Sequence, residues 1–208
     1  MSETMKKTVH AAIYDGLADW ETGHATAHIN RDLWQQHPGT YRVVTVGRTF
    51  DPITTLGGNR IVPDLTLADL DPADSAMLIL AGSDDWITGE LDDFGRKAAE
   101  FLQVGTPVAA ICGATAGMAR QGLFNDRPHT SAVVEFLQAQ EAYKGAEHYV
   151  DADAVTGGDL ISAGPSEPVA FAREIFAKLD LYTPEKLQAW CRLYGESDPE
   201  AFFVLMAP

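Results

Sequence analysis

Two cysteines, Cys112 and Cys191, are the thiols this chain of 208 residues offers to chemistry. Cys112 stands in "PVAAICGATAGMARQG" (107–122), where an apolar run meets the thiol and then the small residues Gly113, Ala114, Ala116 and Gly117. A nucleophile set on a sharp strand-to-helix corner needs small neighbours, because the turn is crowded and strained. A cysteine at a helix amino terminus also feels the dipole and free backbone N–H groups, which favour thiolate. The same groups can hold an oxyanion, with the Gly113 amide as first donor. The competing reading makes Cys112 a small hydrophobe filling a tight turn. Pattern alone leaves both open.

Other chemistry-bearing residues carry weaker signals. Cys191 lies in "KLQAWCRLY" with Leu187, Trp190 and Tyr194 at helical spacing, and reads as an inert packing residue. His24 and His28 share a helical face, but such pairs are usually incidental, so no metal site is expected. "TLGGNR" lacks the spacing of a phosphate loop or dinucleotide fingerprint, and no cofactor is expected.

The elements around Cys112 must position it. Strands are expected at 8–14, 41–47, 76–82 and 107–112, with helices at 19–36, 90–103, 114–122, 132–140 and 167–179. Turn residues at "GGN" and "GGD" suggest hairpins within 51–70 and 148–164. Uninterrupted apolar strands alternating with helices imply a parallel sheet covered on both faces, an α/β fold. Ligands then sit beyond the carboxyl ends of the strands. Cys112, "YDGLADWE" and "AGSDDW" all fall at such ends, so three loops converge on one edge. Residues 182–208 read as a helical extension of a single domain spanning 1–208.

Composition sets the outer bounds. With 46% hydrophobic residues the chain is globular. Fifteen basic against thirty acidic residues give a formal charge of −15, which repels nucleic acid and anionic membrane alike. Two cysteines are too few for a disulfide framework, and a cytoplasmic, reducing location is expected.

Taken together, "AAICGATAG", "DWET", "LILAGSDDW", "RPHTS" and "LISAGPSEPVAFAREIFAKL" resemble the ThiJ/PfpI (DJ-one-like) superfamily, of the class I glutamine amidotransferase-like fold, over residues 8–181. The resemblance implies a flavodoxin-like three-layer α/β/α sandwich, a homodimer, and a reactive elbow cysteine matched by Cys112. It implies that Glu21 of "WET" hydrogen-bonds this cysteine. A carboxyl group against a thiolate should be protonated, since two like charges cannot share a dry site. His129 of "RPHTS" matches a loop histidine that some members place near the sulfur. Many members carry a histidine directly after the cysteine; Gly113 stands there instead, which disfavours a peptidase of that type. The family's second oxyanion donor follows the central strand, where Gly82 and Ser83 stand, and Trp86 beyond them is expected as an apolar pocket wall. The function expected is a cysteine-dependent hydrolase, lyase or hydratase acting on a small carbonyl or amide. The rival is a stress or redox protein whose cysteine is oxidised without turnover.

Overall fold

The computed structural model describes residues 6–207. Its strands are β1 (Lys7–Ala12), β2 (Tyr41–Gly47), β3 (Ile53–Thr54), β4 (Arg60–Ile61), β5 (Leu65–Thr66), β6 (Ser75–Leu80), β7 (Val108–Ile111), β8 (Ala154–Gly157) and β9 (Leu160–Ala163). Seven of them form one sheet in the order β5-β2-β1-β6-β7-β9-β8. Its ladders are parallel except where β8 runs antiparallel along β9 at one edge. The remaining two strands, β3 and β4, pair as a small separate hairpin.

Runs such as Met77-Leu78-Ile79-Leu80 have no polar side because both faces of the sheet are covered. Met77 and Ile79 pack in one core with Ala25 and Ile29 of α1 (Asp19–Asn30), Phe176 of α6 (Pro168–Lys178) and Trp190 of α7 (Pro184–Gly195). Leu78 and Leu80 face the other core, with Phe94 and Phe101 of α3 (Asp92–Gln103) and Met118 of α4 (Gly113–Arg120). Short helices α2 (Asp85–Thr88), α5 (Val134–Gln138) and α8 (Ala201–Met206) complete the chain. This is the three-layer α/β/α arrangement that the sequence implies.

Two departures from the sequence expectation bear on the site. The first helix ends at Asn30, not at residue 36. There the Gln35 side-chain amide turns back and donates to the carbonyls of His28, Ile29 and Arg31 at 2.8, 3.1 and 3.0 Å. Those carbonyls would otherwise be orphaned at the helix end, so a side chain replaces the next turn of backbone bonds. The second difference is α2, a single turn that carries Trp86. The tail forms α7 and α8; Thr183 caps α7, its hydroxyl accepting from the Lys186 amide at 3.3 Å, and Pro184 takes the first helical position.

After β1 the chain moves to β2 on one side, then returns to place β6 on the other. The strand order reverses beside β1, so a crevice opens beyond the carboxyl ends of β1 and β6. Among the described residues no helix is long and apolar enough to cross a membrane.

Candidate active site

Cys112 is the pivot between β7 and α4, with φ 57° and ψ −125°. A non-glycine residue rarely holds positive φ, and the cost of such a conformation is about 1–3 kcal/mol. The neighbours hold it there. The Cys112 amide donates to the Ala163 carbonyl on β9 at 3.1 Å, and its carbonyl accepts from the Thr115 amide and hydroxyl. The thiol is half-buried and opens into a cavity of about 300 Å³.

Glu21 enters from the first turn of α1 and is fully buried. Its Oε2 accepts the Gly82 amide at 2.5 Å, while Oε1 has no hydrogen-bond partner among the described residues. Gly82 separates the carboxyl from the thiol, and it must be glycine. A Cβ there would lie 2.9 Å from Glu21 Oε2, 2.9 Å from Cys112 Cβ and 3.0 Å from Cys112 Sγ. The backbone at Gly82 is not in the positive-φ region, so close approach alone imposes the residue.

The protonation of this pair departs in part from the sequence expectation of a depressed thiol. Burial raises the Glu21 carboxyl above its ordinary value; the Gly82 amide and the Cys112 thiol pull it back only partly. Burial also pushes the Cys112 thiol up to about 12, with the negative charge of Glu21 as the second cause. The Gly113 amide at the amino terminus of α4 does favour thiolate, but it is outweighed. Thiolate loses because burial strips its hydration, with the charge of Glu21 adding to that, while the helix end offers only a partial charge in return. Burial thus favours the uncharged form of both groups.

The loop after β6 is fixed from beneath. The Tyr14 hydroxyl donates to the Ala81 carbonyl, and the Trp86 indole N–H donates to that carbonyl at 2.9 Å and to the Tyr14 oxygen at 3.1 Å. Trp86 is fully buried, its ring pressed on α4 where a Cβ at Gly117 would come within 2.2 Å. This corrects the expectation for Trp86: the indole holds the loop from the core and is not a pocket wall. The cavity wall is instead Trp20, Leu56, Ile87, Ala132 and Phe136, with Ser83, Asp84 and Gly113 at the sulfur end.

A sequence model of the DJ-1/PfpI family matches residues 7–178. The chain belongs to this family. It is 35% identical over 202 residues to the uncharacterized protease YoaZ of Bacillus subtilis, covering 96% of each chain. A second Bacillus subtilis relative, the uncharacterized protease YdeA, is 31% identical over 190 residues, covering 88% of each. Among solved structures, a thiJ/pfpI family protein from Bacillus anthracis superposes with a TM-score of 0.89 at 33% identity, over 97% of this chain and 96% of that one. A DJ-1 superfamily protein from Agrobacterium tumefaciens gives 0.82 at 30% identity, over 93% of this chain and 100% of that one.

Within this DJ-1/PfpI chain the remaining expected site residues fall unequally. Gly113 and Ser83 meet at the sulfur: a Cβ at Gly113 would lie 2.7 Å from the Ser83 carbonyl oxygen and 3.3 Å from its amide nitrogen. The same contact leaves no room for a histidine after the cysteine. Gly82, expected as an oxyanion donor, already gives its N–H to Glu21, so the backbone donors left are Ser83 and Gly113. His129 does not join the site. It is fully buried, stacked on Phe124 with centroids 4.4 Å apart, and its Nε2 and Nδ1 pair with the Tyr143 hydroxyl at 2.8 Å and the Arg127 carbonyl at 2.9 Å. The "RPHTS" loop reaches the elbow through Ser131, whose hydroxyl meets that of Thr115 at 2.7 Å.

Among the described residues no group of three His, Cys, Asp or Glu side chains could hold a metal. His28 is a packing residue: its Nε2 accepts the Trp190 indole N–H at 3.2 Å, its Nδ1 meets the Tyr182 hydroxyl at 3.2 Å, and burial pushes its pKa down to about 4.

Sequence reasoning missed Trp20, Leu56, Ile87 and Phe136 as cavity residues. Trp20 had a local signal, since it directly precedes Glu21 at the end of β1's loop. Leu56 had none, because it arrives on the β3–β4 hairpin from elsewhere in the fold.

Proposed function

We propose that this protein is a cysteine-dependent enzyme that adds the Cys112 thiol to a small uncharged carbonyl compound, with Glu21 as the proton carrier. The observation that carries the reading is the fully buried carboxyl of Glu21 packed against the Cys112 thiol across Gly82, where a Cβ would lie 2.9 Å from Oε2 and 3.0 Å from Sγ, with the thiol on a strained elbow. A buried carboxyl against a thiol calls for a reason, and exchanging the thiol proton supplies one.

The step balances within the site. Glu21 as carboxylate accepts the thiol proton while sulfur bonds to the carbonyl carbon and the C=O electron pair moves onto oxygen. In this reading the backbone N–H groups of Ser83 and Gly113 receive that oxyanion. Glu21 then returns the proton to it, leaving a hemithioacetal. With an α-oxoaldehyde, Glu21 next carries the C1 proton to C2, so that the C2 carbonyl becomes a hydroxyl and C1 a thioester. Water cleaves that thioester to a 2-hydroxy acid and the free thiol. A raised carboxyl pKa makes Glu21 a better base for this exchange than an ordinary glutamate.

The Bacillus subtilis relatives carry the word protease in their names. Peptide cleavage needs an acid for the departing amine, and an imidazole is the usual one. Among the described residues no histidine, lysine or arginine lines the cavity. Peptidase activity is therefore disfavoured here. Oxidation of Cys112 without turnover is the rival reading, since the Glu21 base that activates the thiol for a carbonyl would activate it for peroxide as well.

The test is consumption of methylglyoxal by the wild type, by Cys112→Ala and by Cys191→Ser. Loss with the first variant and retention with the second is expected. Equal consumption by Cys112→Ala would overturn the reading. A stable gain of two oxygens at Cys112 after mild peroxide, with no consumption, would move the assignment to the redox sensor.

A further inference from the structure

We propose that the Cys112 cavity selects carbonyl compounds bearing an aromatic or branched aliphatic substituent, enclosed by Trp20, Leu56, Ile87 and Phe136, and that Asp19 is the positioning residue that builds this wall. The inference rests on the Cys112 reading above and adds the substrate class.

Exposure is the first ground. Trp20, Leu56 and Ile87 are 55%, 58% and 50% exposed, yet all three line the cavity that holds the thiol. Scattered exposed apolar residues need no explanation, but a cluster around one reactive atom does. A cavity of about 300 Å³ has the volume of about ten water molecules at roughly 30 Å³ each, enough for one ring and a carbonyl. The charged groups facing it are the carboxyls of Glu21 and Asp84, and the described residues put no cation there. An anionic substrate would meet repulsion without compensation. An uncharged one with an apolar substituent fits.

The second ground is that the wall is held in place. Asp19, at the start of α1, accepts from the Thr55 hydroxyl at 2.6 Å, the Asn59 side-chain amide at 2.7 Å and the Gly57 backbone amide at 2.7 Å. Those three residues surround Leu56 on the turn between β3 and β4, and the Leu56 amide donates to the Leu17 carbonyl at 2.9 Å. On the opposite wall, the Arg120 guanidinium donates to the Ile87 carbonyl at 2.7 Å. Walls fixed by hydrogen bonds before the ligand arrives spare the ligand the cost of ordering them.

Alkylation tests the cavity without depending on carbonyl chemistry. The rates of Cys112 modification by iodoacetamide, N-benzyl-iodoacetamide and iodoacetate would be followed by intact mass over a range of reagent concentrations. The benzyl reagent is expected to react about tenfold faster than iodoacetamide at low concentration through a lower half-saturation point, and iodoacetate about tenfold slower. Trp20→Ala, and separately Asp19→Asn, should raise the half-saturation point for the benzyl reagent about tenfold while leaving its limiting rate within about threefold. A merely structural role for Asp19 would change both parameters for all three reagents. The inference is overturned if the benzyl group brings no preference. It is equally overturned if Trp20→Ala and Leu56→Ala keep the preference and only shift sedimentation toward a smaller species, since the wall would then serve a second copy of the chain. A benzyl preference in a protein that leaves methylglyoxal untouched supports this inference and confines the failure to the carbonyl reading.

Discussion

Against the amino-terminal halves of β1 and β2 lies a polar concavity of about 610 Å³, lined by His10, Arg42, Asp64, Asp69, Asp71 and Asp74 among others. Beyond the carboxyl ends of β1, β6 and β7 lies the Cys112 cavity, about half that volume. Size would favour the first and chemistry favours the second. At the amino end, His10 is buried beneath the concavity with its Nδ1 2.9 Å from the Ser75 hydroxyl, and burial lowers its pKa. The Ser75 hydroxyl gives its own proton to the Met77 carbonyl at 3.0 Å, so the imidazole does not draw on it as a base. At the carboxyl end, three strands each deliver one component: Glu21 after β1, Gly82 and Ser83 after β6, Cys112 after β7. In a parallel sheet that edge also receives the amino termini of helices, whose free N–H groups suit developing negative charge. The contrast shows that convergence of loops, not cavity volume, marks the site.

The hardest test of this contrast pairs one substitution from each end. Gly82→Ala puts a methyl group between Glu21 and Cys112, and methylglyoxal consumption should fall by about 100-fold or more with the far-ultraviolet circular dichroism unchanged. His10→Ala, remote from the sulfur, should leave consumption within about twofold. The reverse ranking would place the chemistry at the wrong end of the sheet.

Glu21→Gln sharpens the carboxyl-end account by separating ionisation from catalysis. Without the carboxylate charge the Cys112 pKa falls, so iodoacetamide should label it about tenfold faster per pKa unit below its present value. Carbonyl addition should nonetheless drop by about 100-fold, because the proton carrier is gone. In the wild type the rate of addition should rise with pH through the raised Glu21 pKa, and this acid limb should be absent from the variant. Stability moves the other way. A carboxyl whose folded pKa is raised is fully tolerated below its unfolded pKa near 4.5 and costs stability as pH rises through the folded value. Glu21→Gln should thus be more stable than the wild type at neutral pH, with the gain vanishing below about pH 4.5, as read by denaturant midpoints at several pH values.

Gly113→His asks whether this elbow could accept a side chain directly after the cysteine. The Ser83 carbonyl lies 2.7 Å from where its Cβ would stand, so the variant should lose about 1–3 kcal/mol in denaturant unfolding and gain no peptidase activity. The smallest effect belongs to the amino end. His10 holds its neutral form more tightly when folded, so its contribution to stability is present above its unfolded pKa and declines as pH falls below about 6.5. His10→Ala should flatten that part of the stability profile without altering the acid limb of addition.

What was legible in the sequence was largely local. The elbow shows as an apolar run, a cysteine and small residues, and the sheet shows as unbroken apolar strands between helices. Cys112, Gly113, Ser83 and Glu21 belong to short segments whose placement at strand ends follows from chain order, and the structure brings them together. Gly82 was seen for its amide, but its decisive property is a missing Cβ, which only the two neighbours from distant segments reveal. His129 and Trp86 were visible as residue types, yet their orientation depends on Tyr143, Phe124 and Gly117, which come from other turns of the chain.

The sequence alone determined the parallel α/β architecture and the thiol at its carboxyl edge, because strand periodicity and turn chemistry act over a few residues. The tertiary structure decided which side chains wall the cavity and whether the thiol is ionised. Both depend on desolvation and on contacts between segments far apart in the chain: Asp19 drawing in the β3–β4 hairpin, and Glu21 buried beside Cys112.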